Sequence, residues 1–111
     1  MKFLCLAYGS EKDWLELTKE EQEEFLAQDE VLRSRGDFVS AVQPDITTVT
    51  AWGGTAVTRN GAFSKLRLPL AGFAIIEADN IDEVVHLVAN TPCARAKGAI
   101  EIRPFLQPDV A

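Results

Sequence analysis

The sequence predicts an α+β fold in which two helices cover one face of an antiparallel sheet. Three observations lead to this prediction. The chain has 111 residues, which is enough for one domain, and we place that domain at 1–111. Its composition, 47% hydrophobic and 25% charged, is that of an ordinary globular domain. Finally, apolar strand-like segments alternate with helical segments in the order strand, helix, strand, hairpin, strand, helix, strand.

The chain begins with a predicted strand over 2–8 and continues into a long helix. The strand is apolar on both sides, which is typical of a central strand. Thr18 and Glu21 have the spacing of a capping box, and Gly36 supplies the residue that ends the helix, so the helix spans about 19–35. Its narrow apolar stripe consists of Phe25, Leu26 and Leu32.

The remaining elements follow from runs of β-branched and apolar residues between turn residues. Further strands are predicted over 37–43, 46–52, 55–59, 70–78 and 99–105. Gly53-Gly54 is predicted as a hairpin turn and Asn60-Gly61 as a second tight turn. Asp79 is expected to cap the second helix, which ends before Pro92. We expect its buried stripe to consist of Ile81, Val84, Val85 and Val88.

Removal of the hairpin leaves the order βαββαβ, which is the ferredoxin-like arrangement. Both helices then lie on one face of the antiparallel sheet, and no element of the chain is left to cover the other face. A large exposed apolar face normally marks an interface. We therefore expect a homodimer in which the two sheets pack face to face.

Charge and hydropathy exclude several classes of function. The net charge of -6 disfavours a nucleic-acid partner. The acids are concentrated in residues 11–30, which hold nine acids and two lysines, against eight acids and nine bases elsewhere. No apolar run approaches the ~18 residues that a membrane-spanning helix needs. The first residues lack the long apolar stretch and cleavage site of a signal peptide, so we predict a cytoplasmic protein without a membrane partner.

Histidine and cysteine, the usual residues of catalytic and metal sites, form no recognisable motif. His86 is the only histidine, and helical spacing places it opposite the apolar stripe of the second helix, so we expect it to be exposed and dispensable. Cys5 and Cys93 are too far apart in sequence for a metal-type or redox-type pair. Cys5 is expected to be a small buried residue of the first strand. We expect no metal and no cofactor.

Asp29 is the charged residue whose position conflicts with its surroundings. It lies about 40° around the helix from Phe25, inside the apolar stripe, so we expect it to be partly buried. Two roles are open for it. We expect an ion pair with Arg33 or with a strand arginine; the other role is an acid or base of raised pKa in a pocket.

Three further residues are candidates for ligand binding. Trp52 precedes the Gly53-Gly54 turn, where it either lines the mouth of a pocket or makes a dimer contact. Arg67 forms a small basic patch with Arg59 and Lys65, which either pairs with the acidic helix or captures an anionic small molecule. Tyr8 lies at the end of the first strand.

Several segments resemble the YCII-related superfamily, specifically its DGPF branch. They are Arg59-Asn60-Gly61-Ala62-Phe63, Leu70 through Asp79, Ile81-Asp82-Glu83, and Gly98 through Pro104. The resemblance covers essentially the whole chain, includes Tyr8, and implies a dimeric α/β barrel. The Asp and Pro that give the branch its name are Asn60 and Ala62 here. In the stretch that follows, Arg67 keeps the positive charge that the resemblance implies.

The resemblance leaves the function open between two classes. Enzymes of the wider superfamily use a histidine on the first helix, and that position falls near Phe25 here, so histidine chemistry does not transfer. One reading is an accessory protein that binds a small ligand between helices and sheet. The other is a small cofactor-free enzyme with Asp29 or Tyr8 as the acid or base. An enzyme requires a buried titrating group that faces a pocket.

Overall fold

The structure of the protein, a computed structural model, describes residues 1–106. These residues form ten elements, and the α+β class predicted from the sequence is confirmed. In chain order they are β1 (Lys2–Tyr8), α1 (Glu11–Leu15), α2 (Lys19–Ser34), β2 (Phe38–Ala41), β3 (Thr47–Thr50), β4 (Val57–Asn60), β5 (Leu70–Glu77), α3 (Ile81–Val88), α4 (Pro92–Arg95) and β6 (Ala99–Pro104).

The main sheet has four antiparallel strands in the order β2-β5-β1-β6. This is the predicted ferredoxin-like arrangement, with the two most apolar strands, β1 and β5, in the centre. Lys2 pairs with Glu77 at one end of the β1–β5 ladder, and the register shifts at Ala7/Tyr8 at the other end. The predicted strand over 37–43 is shorter than expected, because only Phe38–Ala41 pairs with β5.

Helix α2 begins and ends close to the predicted positions. The Thr18 hydroxyl accepts a hydrogen bond from the Glu21 amide, and the Glu21 carboxylate accepts one from the Thr18 amide, so the capping box is present. Phe25 and Leu32 are each 1% exposed, whereas Leu26 is half exposed. The core behind α2 consists of Phe3, Cys5, Leu32, Ala74, Ile76, Ala78, Val84 and Val88.

Helix α3 differs from the prediction in its cap and in its buried face. Asn80, not Asp79, caps the helix, because the Asn80 side chain accepts a hydrogen bond from the Glu83 amide. Val84 and Val88 are buried, but Ile81 and Val85 are 45% and 49% exposed. Apolar residues surround much of this short helix, so spacing alone did not define the face that packs on the sheet. His86 is exposed, as predicted.

Two short helices, α1 and α4, were absent from the prediction. Ser10 caps α1 and accepts a hydrogen bond from the Asp13 amide. Pro92 opens α4 at a position where proline suits a helix. With five and four residues, both helices are too short to show a periodic apolar pattern.

The segment 46–68, which we call the arm, contains the β3–β4 hairpin. In the described part of the chain, β3 and β4 pair with each other and with no strand of the main sheet. Thr50 pairs with Val57, so Gly53-Gly54 belongs to a longer loop over 51–56 and not to a two-residue turn. Gly61, at φ 117°, ends the hairpin and donates its amide hydrogen to the Ile46 carbonyl at 2.9 Å. Asn60 belongs to β4, so the predicted Asn60-Gly61 tight turn is a strand end.

The arm also extends the shape of the molecule. The radius of gyration is 16.0 Å, whereas a compact domain of this length has about 13 Å. The principal extents of 51 × 39 × 20 Å describe a flat, elongated particle. A hairpin that lies away from the sheet accounts for this excess.

The face of the main sheet opposite the helices is apolar and uncovered by residues 1–106. Strand alternation places Leu4, Leu6 and Tyr8 there, since their neighbours Phe3 and Cys5 face the helices. The rings of Phe38 and Phe73 lie on this face with centroids 5.6 Å apart, and Phe38 is 57% exposed. No helix within residues 1–106 is both long and apolar enough to cross a bilayer.

Candidate functional site

A cavity of about 760 Å³ lies between the helix-facing side of the main sheet and the helices α1, α2 and α4. Small residues on the sheet create this space. Ala7, Gly72 and Ala74 lie on its floor, while Leu26, Leu32 and Trp14 project from the helices. The cavity therefore occupies the place where larger strand residues would pack directly against α2.

Gly72 also fixes how closely two strands approach beneath the cavity. A Cβ atom at this position would lie 2.6 Å from the Ser40 carbonyl oxygen and 3.2 Å from the Ala41 Cα. Both atoms belong to the backbone of β2, which cannot move without loss of its pairing to β5. A residue without a side chain is therefore required here.

Asp29 brings a carboxyl group to the wall of this apolar cavity. It is half-buried on α2, and burial raises its pKa above the ordinary value, while Arg33 lowers it and Glu30 raises it further. The predicted ion pair is wrong. Arg33 pairs with Glu30, and within residues 1–106 no Lys, Arg or His forms a salt bridge with Asp29. Asp29 and Glu30 both lie within one helical turn of Arg33, so either could have been its partner.

Cys93 lies on the α4 side of the same cavity. Burial raises the pKa of its thiol, and the negative charge of Asp29 raises it further. The Sγ atom would be 3.0 Å from a Cβ atom built on Gly9, so the glycine leaves room for it. Cys5, on the cavity floor, is 2% exposed, and burial raises its pKa to about 11. Both thiols are therefore protonated at neutral pH and are poor nucleophiles.

Several other polar side chains at the cavity are already engaged within the protein. The Ser10 hydroxyl donates to the Asp13 carboxylate at 2.8 Å, and the Thr91 hydroxyl donates to the Val88 carbonyl at 2.6 Å. Arg33 is held by Glu30. Among residues 1–106 this leaves Asp29, Cys93 and the indole N–H of Trp14 as half-buried polar groups of the cavity without a hydrogen-bond partner. A bound molecule would meet these three groups.

The other predicted site residues lie away from the cavity. Trp52 is in the loop of the arm and is 89% exposed. Arg67 is exposed in the same arm, and Arg59 uses its guanidinium to donate to the Ala62 carbonyl at 3.0 Å. Tyr8 lies on the opposite face of the sheet, where burial and then the neighbouring Glu101 raise its pKa. Of the four candidates, the structure brings only Asp29 to the cavity.

Sequence comparison assigns this fold to a family. The sequence profile of the YCII-related domain matches residues 1–107. The chain belongs to the YCII-related family. This confirms the resemblance carried by the motifs of residues 59–104. A search of curated protein sequences found no match.

A solved structure supports the fold of this YCII-related domain. The chain is similar to 5-chloro-2-hydroxyhydroquinone dehydrochlorinase (TftG) from Burkholderia phenoliruptrix AC1100, in complex with 2,5-dihydroxybenzoquinone. The TM-score is 0.50 and the sequence identity 20%, over 99% of this chain and 98% of the other. At this identity the similarity establishes the fold and not the activity.

Sequence reasoning missed the cavity wall that α1 and α4 provide. The sequence predicts no element between the strand over 2–8 and the helix over 19–35, where Trp14 lies, and it predicts only that the second helix ends before Pro92. One signal for α4 was present, because Thr91 before Pro92 is a typical start of a helix. No three His, Cys, Asp or Glu side chains in the described part of this YCII-related domain lie close enough together to hold a metal ion.

Proposed function

We propose that this YCII-related domain binds a small, largely apolar molecule in the cavity beneath α2. The cavity is the observation that supports this proposal. Its volume of about 760 Å³ lies within the range of 300–1,000 Å³ that is typical of small-molecule sites. Most of its lining is apolar, and a few polar groups are placed to orient a ligand, which is the usual composition of such a site.

The polar groups favour an uncharged ligand that offers a hydrogen bond to Asp29. An anionic ligand was the prediction from Arg67, but Arg67, Arg59 and Lys65 all lie on the arm, away from the cavity. The cation that does line the cavity, Arg33, pairs with Glu30. A second negative charge beside Asp29 would have no counterion there, so we propose a hydroxyl or amide group as its partner.

A cofactor-free enzyme is the second candidate, and the state of Asp29 favours it. A half-buried carboxyl group of raised pKa that faces a cavity is suited to take or give a proton. Tyr8, the other proposed acid or base, lies on the far side of the sheet. Asp29 is therefore the residue to which an acid–base role is assigned in this second proposal.

We further propose that the protein is a cytoplasmic homodimer that associates through the uncovered face of the main sheet. Leu4, Leu6, Phe38 and Phe73 supply the apolar contact. A stable contact of this kind buries at least about 1,000 Å² in total. Light scattering at micromolar concentration should give the mass of two chains, and a monomer mass would refute this part of the proposal.

The ligand proposal is tested by filling the cavity. The neutral dye N-phenyl-1-naphthylamine, which fluoresces in apolar sites, should bind the wild-type protein. Ala7→Leu places a larger side chain on the cavity floor and should weaken dye binding at least tenfold. Ala56→Leu, the same change in the exposed loop of the arm, is the control. Equal dye affinity in both variants would contradict the proposal.

A further inference from the structure

The arm is chemically unlike the rest of the chain. Residues 46–68 contain no acid and three bases, which are Arg59, Lys65 and Arg67. Large apolar side chains are exposed along it, namely Ile46, Val49, Trp52, Val57, Phe63 and Leu66. Neither strand of the arm pairs with the main sheet. Exposed apolar patches of this kind normally mark interaction surfaces.

A complementary surface exists on the same molecule. Residues 11–30 hold nine acids and two lysines, and Glu20, Glu23 and Glu24 are exposed along α2. None of these three forms a salt bridge within residues 1–106. The basic arm and the acidic helix therefore match in charge, yet no salt bridge joins them within residues 1–106.

We propose that the arm of one copy packs against the acidic face of α2 in a second copy of the chain. This inference rests on the proposed homodimer and adds a second contact to its sheet interface. The distances are compatible. Fully extended, the eight residue steps from Pro44 to Trp52 would span about 26 Å at about 3.3 Å per step. Packed sheets lie about 10 Å apart, and a helix layer lies about 10 Å beyond.

The contact has two components that can be measured separately. Arg67 and Lys65 provide attraction to the acidic helix, which weakens as salt screens exposed charges. Trp52 and Phe63 provide apolar area, so the indole of Trp52 leaves water when the two chains associate. A dimer held by the sheet face alone would leave the indole of Trp52 in water.

The first experiment measures the dimer dissociation constant by sedimentation over a range of concentrations. Lys65→Glu/Arg67→Glu should raise the constant at least tenfold at low salt, and the added changes Glu20→Lys/Glu24→Lys should restore it. The control, Lys12→Glu/Lys97→Glu, makes the same change of charge outside the arm. An unchanged constant in the arm variant, or an equal change in the control, would overturn the arm contact while the homodimer stands.

The second experiment follows Trp52 directly in a Trp14→Phe background. Its emission should shift to the blue as the protein is concentrated from monomer to dimer. A dimer in which Trp52 keeps the emission of a water-exposed indole would overturn the proposal. Wild-type protein that stays monomeric at every concentration would refute the homodimer itself, and the arm contact with it.

Discussion

Replacement of Asp29 by Asn removes the charge from the cavity and leaves the shape of the side chain nearly unchanged. The wild-type carboxyl group is half-buried, and no salt bridge within residues 1–106 compensates the carboxylate for its partial loss of hydration. Ionisation of Asp29 therefore costs the folded state free energy. We expect Asp29→Asn to raise the free energy of unfolding by about 0.5–1 kcal/mol at pH 7, as in other sites where function opposes stability.

The raised pKa of Asp29 determines how the stability difference between wild type and Asp29→Asn changes with pH. The pKa of Asp29 is raised in the folded state above its ordinary value of 3.8, so the folded protein holds this proton more tightly than the unfolded chain. Below the ordinary value both states are protonated, and burial of the charge costs nothing. As pH rises through the raised value, wild type loses stability relative to Asp29→Asn, and above it the difference is constant. An ion pair would give the opposite sign, a loss of about 1–3 kcal/mol in the variant at neutral pH.

Thermal melts of wild type and Asp29→Asn from about pH 3 to about pH 7 measure this difference. In a domain of this size 0.5–1 kcal/mol corresponds to a rise in Tm of about 2–8 °C. Glu23→Gln, an exposed acid on the same helix, is the matched control and should change Tm little. A lower Tm for Asp29→Asn at neutral pH would refute the reasoning, because it would reveal a partner for the carboxylate.

Three further predictions follow from other positions. Gly98→Ala should lower the free energy of unfolding, measured by chemical denaturation, by about 3 kcal/mol, because its Cβ would lie 2.1 Å from the Tyr8 carbonyl oxygen. The control Gly53→Ala, whose Cβ would have nothing within 4 Å, should change it by no more than about 1 kcal/mol. Equal losses in the two variants would contradict this prediction. His86→Ala should change stability by no more than about 0.5 kcal/mol, since the residue is exposed, and a larger loss would expose an unseen contact. Iodoacetamide at neutral pH should label Cys93 slowly, since its pKa is raised, and more slowly still with the cavity occupied; rapid labelling in the mass spectrum would show a thiolate.

Elements with a strong local signal were predictable from the sequence. The capping box at Thr18 and Glu21 determined where α2 begins, and the apolar residues on both sides of β1 indicated a central strand. Each of these signals acts within a few residues. The order of elements then left the ferredoxin-like arrangement as one plausible fold, and the motifs of residues 59–104 indicated the YCII-related family.

The buried face of α3 and the cavity were not predictable in the same way. A helix of eight residues that is apolar on most sides packs by whichever face fits the sheet, so Val84 is buried and Val85 is exposed. The cavity depends on small residues from two strands, such as Ala7 and Gly72, that meet only in the folded chain. The burial of Asp29 was predictable from helical spacing, but the pairing of Arg33 with Glu30 was a choice between two near neighbours.

The two edges of the main sheet, β2 and β6, limit how copies of this chain can aggregate. An open edge offers unpaired backbone groups to another chain and can extend a sheet without end. Here β2 is only four residues long, and β6 carries Glu101 and Arg103 and finishes at Pro104, which has no amide hydrogen to donate. Growth of a continuous fibre along the strands' hydrogen-bonding direction is thus disfavoured. The apolar face of the main sheet can therefore be exposed without an adjoining edge that would let the sheet grow.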